Sequence, residues 1–239
     1  MKYLFLLFAL SAVNFLQAQE IIHTVKDPMA EGRKVGSFTG IQVEGAIDVY
    51  LTQSNETAVA VSASSEEFRN AIVTEVRGNI LYVSFNYKFA WHNRVNPKIR
   101  AYVSVPRLES LNISGASDVN IAGVFKFDQV KVVLSGASNL KGEVELNNGS
   151  IVMTGASDCR MSGKADRIKI QASGASSFKG YELQAGDADI QASGASDVQM
   201  TISESITVEA SGASSVHYKG EPRLKGIRVT GASSFSRKS

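Results

Sequence analysis

Apolar and polar residues alternate along the second half of the chain, and the same short pattern of alternation returns seven times. Every copy is centred on a glycine in the phrase Ser/Thr-Gly-Ala-Ser, and these glycines are Gly115, Gly136, Gly155, Gly174, Gly194, Gly212 and Gly231. The steps between them are 21, 19, 19, 20, 18 and 19 residues. Alternation predicts β-strands, and a repeat of ~20 residues is typical of a stacked solenoid. We therefore expect an all-β fold, a parallel β-helix in which each coil buries the apolar side chains of its neighbours.

Apolar residues fall in fixed columns when each copy is numbered from its glycine as position 0. Positions −4, −2 and +4 are expected to form the core, and in the first copy they hold Leu111, Ile113 and Val119. Cys159 stands at +4 of the third copy. A buried free cysteine behaves as a small hydrophobe, so we expect a packed core thiol there and not a nucleophile or metal ligand. As the chain's single cysteine, it has no partner for an intramolecular disulfide.

Small residues surround every glycine. Position +1 is always alanine, which we expect to point into a crowded corner of the coil. Positions −1 and +2 are Ser or Thr, and we expect outward ladders of hydroxyl groups that cap the bend or bond along the stack. A surface for sugar hydroxyls and an ice-binding face are the alternatives for these ladders.

A weaker eighth copy lies upstream, with Gly45 at position 0 and Asp48 at +3. The 70 residues from Gly45 to Gly115 contain no further copy but carry β-type segments at 59–62, 80–89 and 98–105. We interpret residues 38–107 as irregular coils continuous with the regular repeats of 108–239. The whole of 38–239 is then one solenoid domain, preceded by a leader or cap segment at 19–37.

The first 18 residues have the features of an export signal. Lys2 precedes a short apolar stretch, and Leu16-Gln17-Ala18 ends in a small residue that suits cleavage. The apolar stretch is well short of the ~20 residues that a membrane-spanning helix needs. We expect a protein that does not span the membrane and that lies in the periplasm, on the outer cell surface or in the medium. The formal net charge of +2 gives no reason to expect nucleic acid as a partner.

Two polar columns carry charge. Position +3 places aspartates in alternate copies, at Asp118, Asp158 and Asp197, so that no two aspartates of the seven repeats are adjacent. Oxygens two coils apart are ~10 Å from each other, which is too far for one Ca²⁺. Position +5 places three cations in consecutive copies, and these are Lys141, Arg160 and Lys179. The stripe of cations is either a solvated face with weak ion pairs or a groove for acidic polysaccharide.

Aromatic residues alternate from Leu81 to Trp91, just before a polar loop. This face is either core beneath a long strand or, at Trp91, a stacking platform for a sugar ring.

Nothing in the sequence favours catalysis, so we expect no enzyme activity. A glycosidase needs two carboxylates at about 5.5 Å or about 6.5–9.5 Å, and the aspartates of the repeats are spaced differently. The three histidines, His23, His92 and His217, share no metal-ligand spacing. We therefore expect neither a metal nor another cofactor.

The repeated SGAS-D/S-apolar phrase, together with the opening from Phe38 to Leu51, resembles the family named putative auto-transporter adhesin, head GIN domain. The resemblance covers about 38–239. It implies an exported right-handed β-helix, but it implies no catalytic or ligand residues that could be carried over. We expect no translocating β-barrel, so we do not expect the auto-transporter part of the family's name to apply.

The sequence thus favours an exported, non-enzymatic, adhesin-like module that binds a polysaccharide or a cell-surface protein. The first alternative is a structural or assembly element that forms homo-oligomers through the open edge of the last coil, 227–235. The second alternative is a polysaccharide-active enzyme.

Overall fold

The computed structural model describes residues 27–86 and 97–239. Within them lies one helix, α1 (Glu66–Asn70), which begins after the capping hydroxyl of Ser65. The strands are β1 (Glu31–Arg33), β2 (Gly40–Gly45), β3 (Asp48–Gln53), β4 (Ala58–Ser62), β5 (Ile72–Arg77), β6 (Ile80–Phe85), β7 (Arg100–Val105), β8 (Ser110–Gly115), β9 (Asp118–Leu134), β10 (Asn139–Met153), β11 (Asp158–Ala172), β12 (Ser177–Ala192), β13 (Asp197–Ala210), β14 (Ser215–Lys219), β15 (Arg223–Val229) and β16 (Ser234–Arg237).

The long strands β9 to β13 each follow most of one coil, and each pairs in parallel with the next. Equal columns meet across every pair, so Leu140 lies opposite Val119 on one side and Cys159 on the other. The chain is a β-solenoid of about 7 turns, as the repeats predict. Its right-handed sense and the length of its coils stay predictions.

The core consists of the predicted apolar columns. In the coil of Gly155, the side chains of Ile151, Met153 and Cys159 are at most 1% exposed. Burial raises the pKa of the Cys159 thiol, which is therefore protonated and packed as predicted. The last coil differs, because Ile227 and Val229 are 38% and 39% exposed.

Glycine is required at position 0 for two independent reasons. Gly155 has φ +74°, a left-handed conformation that residues with a side chain rarely adopt. The bends also stack closely, and the Ala156 N–H donates a hydrogen bond of 2.8 Å to the Gly136 carbonyl oxygen. A Cβ at Gly155 would lie only 2.6 Å from that same oxygen.

The expectation for the neighbouring small residues is wrong at positions +1 and +2, although the hydroxyl at −1 points outward and bonds along the stack as expected, as when Thr154 donates to the Leu134 carbonyl oxygen at 3.4 Å. The alanine at +1 is exposed and the serine at +2 is buried, so Ala156 faces solvent while Ser157 is 1% exposed. The Ser157 hydroxyl donates to the Thr154 carbonyl oxygen at 3.1 Å and so caps the bend from inside. The bend interrupts the alternation, because Thr154, Gly155 and Ala156 are exposed in succession before Ser157 turns inward. A buried serine column cannot bind sugar or ice.

The upstream copy stacks directly on the first regular repeat, with Gly45 opposite Gly115 and Asp48 opposite Asp118. On its other side, β6 pairs with β2 and β7 pairs with β3, both in parallel. The residues between Gly45 and Gly115 therefore form one more layer of the stack, on the side of the upstream copy that faces away from the regular repeats.

An antiparallel cap, which the sequence did not predict, closes this end of the solenoid. Strand β5 pairs antiparallel with β6, β4 with β7, and β1 with β4. Helix α1 joins β4 to β5 and buries Phe68 in the same continuous core.

Candidate functional site

The predicted cations lie side by side on the solenoid. Lys141 is the register partner of Arg160, which is the register partner of Lys179. Position +5 points outward, and neighbouring strands are ~4.8 Å apart, so the three side chains form a ladder on three consecutive coils. We call Lys141, Arg160 and Lys179 the cation ladder.

Acidic neighbours neutralise only part of the cation ladder. Lys179 forms an ion pair with Asp158. Asp118 accepts a hydrogen bond of 2.6 Å from the Asn139 amide. In the described part of the chain, no carboxylate forms an ion pair with Lys141 or Arg160. The ladder therefore presents two adjacent, exposed cations that form no ion pair among the described residues.

The column of the cation ladder continues upstream into aromatic residues. Asn120 precedes Lys141, and Tyr50 precedes Asn120 in register. The ring of Tyr50 stacks on Tyr102 with centroids 5.3 Å apart. Tyr102 is buried and its hydroxyl donates to Asp27 at 2.7 Å, so Tyr50 is the half-buried ring at the end of the column. Sequence reasoning missed Tyr50, although reading position +5 in the upstream copy finds it.

Trp91, the other candidate contact, lies outside the residues that the structure describes, as do the proposed signal segment 1–18 and His23 and His92.

Two aspartates at position +3 are adjacent at one junction, where the upstream copy meets the first regular repeat. Because the upstream copy stacks on the first repeat, Asp48 lies opposite Asp118 on the neighbouring strand. Burial, and then the negative charge of Asp118, raise the pKa of Asp48. Arg100, the register partner of Asp48 on its other side, partly opposes this effect.

A second polar surface, missed from the sequence, runs along positions −7 and −5. It is a shallow groove of about 750 Å³. Its acids are each paired with a cation, Glu109 with Arg107 at 2.9 Å, Asp189 with Lys169 at 3.1 Å and Asp187 with Lys225 at 3.7 Å. Lys131 and Arg167 also line the groove, and one intervening coil separates the two coils on which they lie. The charged residues at positions −7 and −5 of the repeats are visible in the sequence, as those at +3 and +5 are, and they could have indicated the groove.

Two kinds of feature are absent from the described ranges 27–86 and 97–239. No three His, Cys, Asp or Glu side chains are grouped so that they could hold a metal ion. No helix there has the length and apolar character that crossing a bilayer requires.

Stacked coils, one continuous apolar core and outward ladders of polar side chains define the class of the protein as a β-solenoid. The chain belongs to the family described as putative auto-transporter adhesin, head GIN domain, whose model matches residues 37–222. The family resemblance of the repeats is thereby confirmed.

Solved structures share this fold at low sequence identity. A putative adhesin from Bacteroides fragilis is 20% identical with a TM-score of 0.77, covering 87% of this chain and 96% of its own. A putative adhesin from Parabacteroides merdae is 15% identical with a TM-score of 0.64, covering 88% and 95%. A putative lipid binding protein from Parabacteroides distasonis is 20% identical with a TM-score of 0.61, covering 89% and 98%. None of these descriptions is that of an enzyme.

No curated protein matches the chain.

Proposed function

We propose that the protein is an exported, non-enzymatic, adhesin-like module that binds acidic polysaccharide along the cation ladder. The observation that carries this proposal is the direct stacking of Lys141, Arg160 and Lys179 on consecutive strands. Membership of an adhesin-type family supports a role in binding surface molecules. The choice of acidic polysaccharide rests on the charges of the ladder.

Stacked like charges need a physical reason. Like charges directly opposite each other in a sheet are destabilising, by up to ~1 kcal/mol per pair. The seven repeats avoid such contacts among their aspartates, yet they place Lys141 beside Arg160. An extended polyanion with a carboxylate on successive sugars would neutralise both cations and offset that cost.

Tyr50 extends the same column and supplies an apolar ring face. Aromatic faces suit the apolar side of a sugar ring, while the cations suit its acidic groups. The column from Tyr50 through Asn120 to Lys179 therefore combines stacking, amide and charge contacts along one line of the surface.

Two matched triple variants test the proposal. The first, K141S/R160S/K179S, removes the cation ladder. The control, K131S/R167S/K169S, removes three positive charges from the groove at positions −7 and −5. Binding to polygalacturonate is measured by isothermal titration calorimetry, and thermal unfolding checks that both variants are folded.

We expect the first variant to lose at least about tenfold in affinity, which is about 1.4 kcal/mol, while the control binds within about threefold of wild type. Unchanged binding by K141S/R160S/K179S would overturn the cation ladder as the site. Equal losses in both variants would show a non-specific response to net charge and would overturn it as well.

Export is part of the same proposal and rests on residues 1–18. When the full chain is produced in a Gram-negative host, the intact mass of the mature protein should lack residues 1–18. A mature protein that retains the first residues would contradict export by this signal.

One observation favours testing the enzyme alternative. Asp48 and Asp118 are adjacent carboxylates, and the pKa of Asp48 is raised, which is the first requirement of a glycosidase pair. A reducing-sugar assay on the glycans that bind would decide between the two functions. Binding without turnover supports the module, and turnover that D48N abolishes would establish the enzyme.

A further inference from the structure

A second shallow groove, of about 490 Å³, lies on the segment before each glycine bend, whereas the cation ladder lies on the segment after it. Position −3 of four consecutive repeats lines this groove with planar polar side chains, and these are Gln171, Gln191, Glu209 and Arg228. Each is the register partner of the next, so the four extend over about 14 Å. Val152 precedes Gln171 in the same register. We call these five residues the −3 row.

The −3 row carries no net charge, because it holds one carboxylate and one guanidinium. These groups belong to Glu209 and Arg228, which are exposed, and in the part of the chain that the structure describes neither forms an ion pair or a side-chain hydrogen bond. Both are therefore available to a ligand. An uncharged ligand suits this pair best, because Glu209 would repel the carboxylates that suit the cation ladder.

The two amides of the row are joined by one hydrogen bond. The Gln171 Nε2 donates to the Gln191 Oε1 at 2.8 Å. Among the described residues, the Gln171 Oε1 and the Gln191 Nε2 have no further partner. The pair therefore offers one free acceptor and one free donor group, which complement the N–H and the carbonyl oxygen of a secondary amide. Both side chains are half-buried, so water competes less with a ligand for them.

Apolar and hydroxyl groups flank the amides. Val152 is half-buried and lies beside Gln171 on the next strand, where it offers an apolar contact to a methyl group. On the other flank, position −1 supplies the hydroxyls of Ser173 and Thr230, which line the same groove. These hydroxyls donate to carbonyl oxygens of the preceding coil at 3.3 and 3.4 Å, so their lone pairs remain to accept hydrogen bonds from a ligand.

We propose that the −3 row binds an uncharged oligosaccharide that carries acetamido groups. The N–H of one acetamido group donates to the Gln171 Oε1 while its methyl group packs on Val152, and a second acetamido group accepts from the Gln191 Nε2. Sugar hydroxyls donate to Glu209 and accept from Arg228. A plain hydroxyl could satisfy either amide, but it would leave Val152 without an apolar partner.

This site goes beyond the binding of acidic polysaccharide and does not depend on it, because no residue of the −3 row belongs to the cation ladder. The two sites differ in charge and lie on different sides of the glycine bend, so each can be removed without the other.

Two matched oligosaccharides test the class of ligand. The hexamer of N-acetylglucosamine and cellohexaose share one backbone linkage, and they differ in the acetamido group that replaces one hydroxyl on each sugar. Isothermal titration calorimetry with wild type should show at least about tenfold tighter binding of the acetamido hexamer. Equal affinity for the two hexamers, or no binding of the acetamido hexamer, would overturn the proposal.

Variants with the same ligands test the residues. Q171A/Q191A should lose at least about tenfold in affinity for the acetamido hexamer, whereas the control Q129A/Q184A, which removes two exposed amides elsewhere, should bind within about threefold of wild type. V152S should weaken the acetamido hexamer by about threefold and leave cellohexaose unchanged, because only the acetyl methyl group contacts this side chain. Thermal unfolding checks that every variant is folded.

A cross-comparison separates this site from the cation ladder. Q171A/Q191A should bind polygalacturonate as wild type does, and K141S/R160S/K179S should bind the acetamido hexamer as wild type does. Equal losses of acetamido-hexamer binding in Q171A/Q191A and Q129A/Q184A, or loss of that binding in K141S/R160S/K179S, would remove the −3 row as the site.

Discussion

The requirement for glycine at the stacked bends can be measured by one pair of substitutions. Gly155 and Gly123 have nearly the same φ, +74° and +75°. An added Cβ at Gly155 would meet the Gly136 carbonyl oxygen at 2.6 Å, whereas an added Cβ at Gly123 would meet nothing within 4 Å. Gly155→Ala and Gly123→Ala therefore share the cost of the backbone conformation and differ in the cost of the close contact.

The magnitudes follow from these two contributions. Holding an alanine in the left-handed region costs about 1–2 kcal/mol at either position. At Gly155 the coils must also move apart or lose the bond between Ala156 and Gly136, which adds about 1–2 kcal/mol. We expect Gly155→Ala to lower the free energy of unfolding by about 2–4 kcal/mol and Gly123→Ala by about half as much.

Urea denaturation followed by circular dichroism measures both values, and the slopes of the transitions show whether cooperativity is retained. Stacked repeats can lose cooperativity, so unchanged slopes are needed before the two free energies are compared. Equal losses for the two variants, or a larger loss for Gly123→Ala, would refute the claim that close stacking of the bends dictates glycine.

Three further predictions concern buried or adjacent polar groups. Ser157→Ala should lower the free energy of unfolding by about 1 kcal/mol in urea denaturation, while Ala156→Ser at the exposed neighbour should change it by less than about 0.5 kcal/mol; the reverse order would contradict the buried serine column. Asp118→Asn should lower the pKa of Asp48 in a nuclear magnetic resonance titration and should stabilise the protein at pH 7 by up to ~1 kcal/mol. This stabilisation should vanish below pH ~4, where Asp48 is protonated. Asp197→Asn, which lies between two serines, should bring no such gain. Burial raises the pKa of Cys159, so the contribution of its thiol to stability is complete below the unfolded thiol pKa of about 8.5 and is progressively lost above it. Wild type should therefore lose stability relative to Cys159→Val between pH ~8 and ~10. Parallel pH profiles for the two proteins would count against a buried thiol.

The regular part of the fold was predictable because one rule is repeated seven times. Alternation identified the core columns, and the spacing of the glycines identified the stack. The rule was applied wrongly at the bend, where Ser157 was expected outside and Ala156 inside. The left-handed glycine breaks the alternation there, so Thr154, Gly155 and Ala156 all face outward and Ser157 is the first residue to return to the core.

The capped end was not predictable in the same way. Residues between Gly45 and Gly115 contain no repeat, so no column could reveal that β6 returns to stack on β2 or that β5 pairs with it in the antiparallel sense. The meeting of Asp48 with Asp118 follows from this topology. Sequence columns did bring Lys141, Arg160 and Lys179 together, since all three lie inside the regular repeats.

Binding of the wild-type protein to two forms of one polysaccharide tests the central claim most directly. Polygalacturonate carries a carboxylate on each sugar, and its fully methyl-esterified form has the same backbone without the charge. The cation ladder predicts that wild type binds the acid form, that salt weakens this binding, and that esterification abolishes it. Equal affinity for the two forms, or no affinity for the acid form at low salt, would contradict a site built on Lys141, Arg160 and Lys179.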